Sequence, residues 1–128
     1  MEALRYNYNK PQWSLVDFDS LEPLVRVLEY GEHKYSIFCD EKGNTYKGSD
    51  ITLDQAKSMQ IISSGRNNWK LGFSNKLRVL ESLARHLFAL MRGEENDPES
   101  GLPHIGHILA NCMFFSYHNR KDEIKSEI

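Results

Sequence analysis

The sequence predicts a mainly α-helical fold. Three observations carry the prediction: apolar residues recur at i, i+3, i+4 and i+7 in three stretches, residues suited to helix ends bracket those stretches, and β-like patterning is confined to one short region between the first two. In the first helix, over 17–35, Leu21, Leu24, Val25 and Leu28 form one stripe. Asp19 and Glu22 have the spacing of a capping box, and Pro23 is tolerated in a first turn. Gly31 reads as a distorted last turn or a close approach of another backbone. The second helix, over 75–92, carries the widest stripe, Leu77, Leu80, Leu83, Ala84, Leu87, Leu90 and Met91, and is predicted to be the central core helix. Ser74 is its expected N-cap and Gly93 the residue just past its end. The third, over 103–118, opens at Pro103, carries Ile105, Ile108, Leu109, Cys112, Met113 and Phe115, and is expected to fray after Tyr117.

The chain reads as a single domain, 1–128, with three appendages. Residues 1–16 form an arm whose aromatics follow no helical period. Residues 119–128 are a polar, mobile tail. Residues 36–66 are an insertion or lid: Glu41-Lys42-Gly43-Asn44 between Ile37-Phe38 and Thr45-Tyr46 reads as a β-hairpin, and the Thr52/Gln55 capping box starts a short helix from Leu53 to Ile62. Three helices from 128 residues leave an incomplete bundle, which predicts a homo-oligomer, first of all a dimer.

Composition narrows the function. Sixteen Lys+Arg against eighteen Asp+Glu argue against general electrostatic binding to DNA or a membrane surface. Two distant cysteines, Cys39 and Cys112, give neither a disulfide framework nor a four-cysteine zinc site, and fit a reducing compartment. The N-terminus lacks the apolar region of a signal peptide, and no apolar run approaches the roughly 18 residues of a membrane span, so a cytoplasmic protein is expected.

The chemistry concentrates on the helices. At about 100° per residue, His104, His107, Asn111 and His118 fall within an arc of about 60° on the third helix, as metal ligands or phosphate donors would. The alternative is a polar stripe facing water. The loop before it, Glu94-Glu95-Asn96-Asp97-Pro98-Glu99, holds four carboxylates, with Glu94 and Asp97 in E-x-x-D spacing that suits Mg²⁺ or Mn²⁺. A solvated acidic turn is the alternative. Glu29 and Glu32 make an E-x-x-E pair one turn apart on the first helix, able to hold a cation or simply to face solvent. His86 lies at the edge of the second helix's stripe beside Arg85, where it reads as a hydrogen-bonded core histidine or an inward ligand. Lys34, Arg66, Asn67, Asn68 and Trp69 would suit a phosphorylated base: cations for phosphate, amides for base edges, an indole for stacking. No P-loop, G-x-G-x-x-G, G-x-S-x-G or H-E-x-x-H motif is present.

Taken in order, Lys10-Pro11, Leu28-Glu29-Tyr30-Gly31 with Lys34-Tyr35, Asn68-Trp69, Arg85-His86-Leu87, Gly93-Glu94 with Asp97-Pro98-Glu99-Ser100-Gly101-Leu102-Pro103-His104, and Asn111 resemble the phage-associated dATP/dGTP diphosphohydrolase family. That family is related to the MazG-like, all-α nucleoside-triphosphate pyrophosphohydrolases. The resemblance spans about 10–118 and is densest from Arg85 to Asn111. It implies a MazG-like helical bundle completed by oligomerisation, and carboxylates holding Mg²⁺ or Mn²⁺ on a purine nucleotide's phosphates while water attacks the α-phosphorus. Carried onto this chain, it implies Glu29, Glu94 and Asp97 as catalytic residues and Glu29, Glu94, Asp97 and His104 as metal ligands, to which the E-x-x-E pair adds Glu32, a position without a secure match in the family. Lys34, Asn68, Trp69, Arg85, His86, His107 and Asn111 would then bind the nucleotide, in the host cell cytoplasm if the chain is phage-encoded. The family pattern has only a few residues between its K-Y and N-W pieces, whereas 33 separate Tyr35 from Trp69 here. The insertion would lie beside the pocket, as a specificity lid, an oligomer contact or a mark of changed function. The competing readings are a module that sequesters a signalling nucleotide without cleaving it, and an interaction protein whose polar stripe is only surface.

Overall fold

Pro23 presets the backbone for the first turn of α1, Glu22–Lys34, and lacks only an N–H that a helix start leaves unused. The computed structural model describes residues 1–4, 6, 8–72 and 75–126, with side chains through 122. After α1 come β1, Ile37–Cys39, and β2, Thr45–Lys47; then α2, Leu53–Ala56, and β3, Gln60–Ser63; then α3, Leu77–Met91, and α4, His104–Ser126. Short 3₁₀ turns lie at Trp13–Leu15, Phe18–Leu21, Gly48–Asp50 and Asn68–Leu71. The fold is mostly helical, as expected, with a small antiparallel sheet.

The three long helices stand where the apolar stripes place them, and α4 packs on both α1 and α3. Gly106 makes the α1–α4 crossing possible: a Cβ there would stand 2.4 Å from the Pro23 carbonyl oxygen. Gly93 ends α3 at φ +93°, with its N–H on the Leu90 carbonyl and that of Glu94 on the Ala89 carbonyl, both at 3.0 Å. Ser74 lies outside the described residues; the Asn75 side chain accepts the Leu77 N–H at 2.9 Å. The Thr52/Gln55 capping box forms in both directions.

Four local expectations are corrected. Asp19 caps nothing: a 3₁₀ turn over 18–21 leads into α1, whose N-cap is Leu21 without a side-chain hydrogen bond. Gly31 is neither a distorted end nor a close contact; it lies within α1 with open space where a Cβ would be. The short helix stops at Ala56, and Gln60–Ser63 instead forms β3, so the sheet order is β2-β1-β3. Phe38, paired with Tyr46 on one side and Ile61 on the other, is its buried centre. Finally, α4 does not fray after Tyr117 but continues to Ser126, its extension tied to the start of α3 by Lys76, which bonds Asn119 at 3.1 Å and pairs with Asp122.

A buried serine helps fasten the sheet to the helices. The Ser36 hydroxyl donates to the Glu32 carbonyl and accepts the Gly65 N–H at 2.8 Å, which fixes the segment after β3 against the end of α1. Among the described residues the buried apolar side chains are few, and all but Phe38 are small: Val27, Phe38, Val79, Ala89 and Ala110. Leu77, Leu80, Leu87, Phe88 and Met91 of α3 are exposed, Phe88 by 57% and Met91 by 73%.

Candidate active site

The space enclosed by α1, α3, α4 and the 65–69 segment is a cavity of about 580 Å³, within the range of small-molecule sites. Of the site residues that the resemblance and the E-x-x-E pair imply, all but one line it: Glu32, Lys34, Asn68, Trp69, Arg85, His86, Glu94, Asp97, His104, His107 and Asn111; Asn67, which the sequence also offered, does not. Glu29 is the exception. It points to the outer face of α1, pairs with Arg26 at 3.2 Å, and is absent from the lining. An i, i+3 pair spans about 60° of a helix, enough here for Glu32 to reach the cavity and Glu29 to miss it.

The α4 stripe faces inward. His104 is 2% exposed, and His118 is buried with its Nε2–H donating to the Trp69 carbonyl at 2.7 Å. That bond holds the 3₁₀ turn carrying Trp69 against α4, where the indole stacks on Phe114 (centroids 5.0 Å apart, 25° between planes) and meets Tyr117 edge-on. His118 therefore positions the cavity wall and does not line it.

The acidic loop is a hydrogen-bonded turn whose Glu94, Glu95 and Glu99 are exposed while Asp97 is half-buried. Asp97 N–H donates to the Leu102 carbonyl at 2.8 Å, Gly101 N–H to that of Asp97 at 2.7 Å, and His104 N–H to that of Glu95 at 2.8 Å. This closes the loop back onto the start of α4 and turns Asp97 inward. Its carboxylate accepts the Ser100 N–H at 3.0 Å and lies 3.8 Å from His107 Nε2. Burial raises the Asp97 pKa, but the Ser100 hydrogen bonds and the nearby imidazoles outweigh it and hold the carboxyl below its ordinary value.

Three histidines meet beside it. His86 stacks face to face on His107, ring centres 4.4 Å apart and planes 4° from parallel. His86 Nδ1 lies 2.8 Å from His104 Nδ1, and His104 Nε2 lies 2.9 Å from Glu94 Oε1. Burial, foremost, pushes both His86 and His107 below the ordinary imidazole value. His86, Asp97 and His104 each offer a ligand atom, all within 4.8 Å of one another. The sequence reading missed Ser100, whose hydroxyl lies 2.7 Å from His107 Nε2 and accepts the Leu102 N–H. Its signal was the Asp-x-x-Ser spacing, in which an aspartate accepts the N–H three residues on.

Cations share the lining. Lys34 Nζ pairs with Glu99 at 3.2 Å and lies 5.8 and 5.6 Å from the rings of Tyr30 and Tyr35. Burial works to lower its pKa, but Glu99 and the two tyrosines raise it above the ordinary lysine value. Arg85 is exposed at the edge, and Arg66 stands 3.9 Å from Glu32. Asn111 Nδ2 donates to the Ser82 hydroxyl and the His107 carbonyl. Among the described residues no helix is long and apolar enough to cross a membrane.

Comparison with known proteins agrees with the resemblance drawn from the sequence. The model of a family described as "dATP/dGTP diphosphohydrolase, N-terminal" matches residues 2–127. A protein of Salmonella phage PMBT28 named dATP/dGTP diphosphohydrolase is 27% identical over 114 residues, which are 89% of this chain and 29% of that protein. The chain thus spans less than a third of that relative's length. No solved structure matches it.

Proposed function

The chain belongs to the dATP/dGTP diphosphohydrolase, N-terminal, family, and from that premise we propose that its cavity takes a purine deoxynucleoside triphosphate and hydrolyses it to the monophosphate and pyrophosphate. The observation that carries the proposal is the gathering of three kinds of group on one cavity: carboxylates with imidazoles, Lys34 and Arg85 for phosphate charge, and Trp69 with Asn68 for a base. Asp97, with Glu32 on the same lining and Glu94 holding His104 beside it, would hold Mg²⁺ or Mn²⁺, and anionic oxygens beside imidazoles are donors that fit such an ion. A divalent ion there would neutralise phosphate charge and acidify the attacking water.

The protein's own groups have separate tasks. Lys34 would exchange its Glu99 partner for phosphate oxygens. Arg85 would meet the charge that accumulates on the departing pyrophosphate. His107, wired to Ser100 and close to Asp97, would hold or pass a proton of the attacking water. The indole of Trp69, braced by Phe114 and Tyr117, would offer a rigid surface to a purine. A second copy packed on the exposed apolar face of α3 would complete a MazG-like bundle. The reaction would belong in the cytoplasm of an infected cell, where deoxynucleotides are found.

The test is a panel of the four deoxynucleoside triphosphates with Mg²⁺ and, separately, Mn²⁺, reading both released pyrophosphate and nucleotide retained through gel filtration. Release from dATP or dGTP above that from dCTP and dTTP is the expected result. Retention without release would replace hydrolysis by sequestration, and neither would reject both readings.

A further inference from the structure

The imidazoles beside Asp97 have an arrangement that nucleotide binding does not require. Glu94 is a carboxylate and can only accept, so His104 Nε2 carries the proton of their 2.9 Å hydrogen bond. In the tautomer with its proton at Nε2, His104 presents a lone pair at Nδ1 toward His86 Nδ1, 2.8 Å away. This is the geometry in which a carboxylate fixes the tautomer and orientation of a metal-ligating histidine. Asp97 closes the third side: one atom from each of His86, Asp97 and His104 lies within 4.8 Å of the others. His104 is almost wholly buried and His86 is stacked on His107, which keeps both rings beside Asp97.

We infer that His86 Nδ1, His104 Nδ1 and the Asp97 carboxylate form a two-nitrogen, one-oxygen site for a first-row transition ion such as Co²⁺, Zn²⁺ or Mn²⁺, with Glu94 positioning His104 rather than ligating, and that Mg²⁺ is a poor occupant. Mg²⁺ demands oxygen ligands in a near-octahedral shell, whereas imidazole nitrogens suit the transition ions. The two nitrogens are near the required spacing: with metal–nitrogen bonds of about 2.0–2.1 Å, two nitrogens on one ion stand about 3.0–3.4 Å apart, so the present 2.8 Å needs to open by only a few tenths of an ångström, while the Asp97 carboxylate closes in from within 4.8 Å. Without an ion, His86 Nδ1–H donates to His104 Nδ1. On binding, His86 takes its other neutral tautomer, the proton moving from Nδ1 to Nε2 with no net release, and both lone pairs turn to the ion. Burial, which keeps His86 less basic than an ordinary imidazole, favours the neutral form that a ligand must have. The inference deepens the proposed function by naming its metal, but it stands on geometry that holds without a nucleotide.

The experiment uses the full chain, stripped with a chelator and titrated with Co²⁺ in the absence of nucleotide, in a Cys39→Ser/Cys112→Ser background so that the two free thiols contribute nothing. One equivalent of Co²⁺ should bind with the visible absorption of a low-coordinate nitrogen–oxygen site. Zn²⁺ should displace it and excess Mg²⁺ should not. His86→Ala and Asp97→Asn should each abolish the band at unchanged far-UV circular dichroism, and His86→Gln, closer in volume, repeats the first test if the alanine variant unfolds. Glu94→Gln should weaken Co²⁺ binding about 10–100-fold without removing the band. The inference is overturned if the folded protein shows only the aqueous Co²⁺ spectrum, if His86→Gln binds Co²⁺ like the parent, or if Mg²⁺ competes on equal terms. An intact Co²⁺ site without pyrophosphate release would sink the proposed function alone.

Discussion

The inner face of α4 turns His104, His107, Asn111 and His118 toward the neighbouring segments, while the outer face of α3 leaves Leu77, Leu80, Leu87, Phe88 and Met91 exposed. In most small domains the two would be reversed. Buried polar groups are costly unless partnered, and here the partners are present: Glu94 for His104, Ser100 for His107, Ser82 for Asn111 and the Trp69 carbonyl for His118. Among the described residues no buried side-chain nitrogen or oxygen lacks a hydrogen bond. The polar groups therefore gather on the cavity, and the widest apolar stripe is largely exposed.

Altering each side in turn tests that contrast. The largest effect is expected from Asp97→Asn, which removes a charge from the inner face and keeps its shape. Turnover of dATP or dGTP should fall by about 1,000-fold or more, about 4 kcal/mol of transition-state stabilisation. The amide oxygen can still accept the Ser100 N–H, so the thermal midpoint should move by only a few degrees; activity within tenfold of the parent would remove Asp97 from the chemistry. Next comes Trp69→Ala, which takes away the ring packed on Phe114 and Tyr117. Urea unfolding should show a loss of about 3 kcal/mol, and a loss below about 1 kcal/mol would mean the indole is not a structural wall. The smallest effect on the fold of one chain is expected from Leu80→Glu with Phe88→Glu on the outer face, about 0.5 kcal/mol or less per site for an exposed position. Yet this pair should convert an oligomer to a 14.9 kDa monomer in sedimentation. A parent protein that already sediments as a monomer at every concentration would leave the α3 face without the proposed partner.

The same contrast marks what the sequence could and could not reveal. Periodicity places Leu77 through Met91 on one helix face and His104, His107 and Asn111 on another, and both alignments hold. It says nothing of what lies opposite, so the leucine stripe reads as core and the histidine stripe stays ambiguous until α1 and α3 are packed against it. Local signals were legible where their chemistry is local, as in the Thr52/Gln55 cap and the Gly93 terminus. Strand β3 was not, because Gln60–Ser63 is held by pairing with β1, twenty residues earlier in the chain, and a helix cap just before it suggested the wrong period. The polar end of α4 was hidden for a like reason: its continuation past Tyr117 goes with tertiary bonds to Lys76. The cavity residues were legible as types and mostly as a set, while Glu29 differs from Glu32 by a rotation that only the packed helix reveals.

The central claim is that the polar cavity, and no other surface, receives the nucleotide. Gly31 tests it without touching a charged or metal-binding group: it lines the cavity from within α1, and nothing lies within 4 Å of where its Cβ would stand. Gly31→Leu would fill that space, and replacing glycine inside a helix should favour the fold by about 0.5–1 kcal/mol. The measurement is kcat/KM for dGTP, beside the thermal midpoint. The account predicts a fall in kcat/KM of about tenfold or more in a protein as stable as the parent or more so. A Gly31→Leu protein that is equally folded and hydrolyses dGTP at the parent's kcat/KM would contradict it.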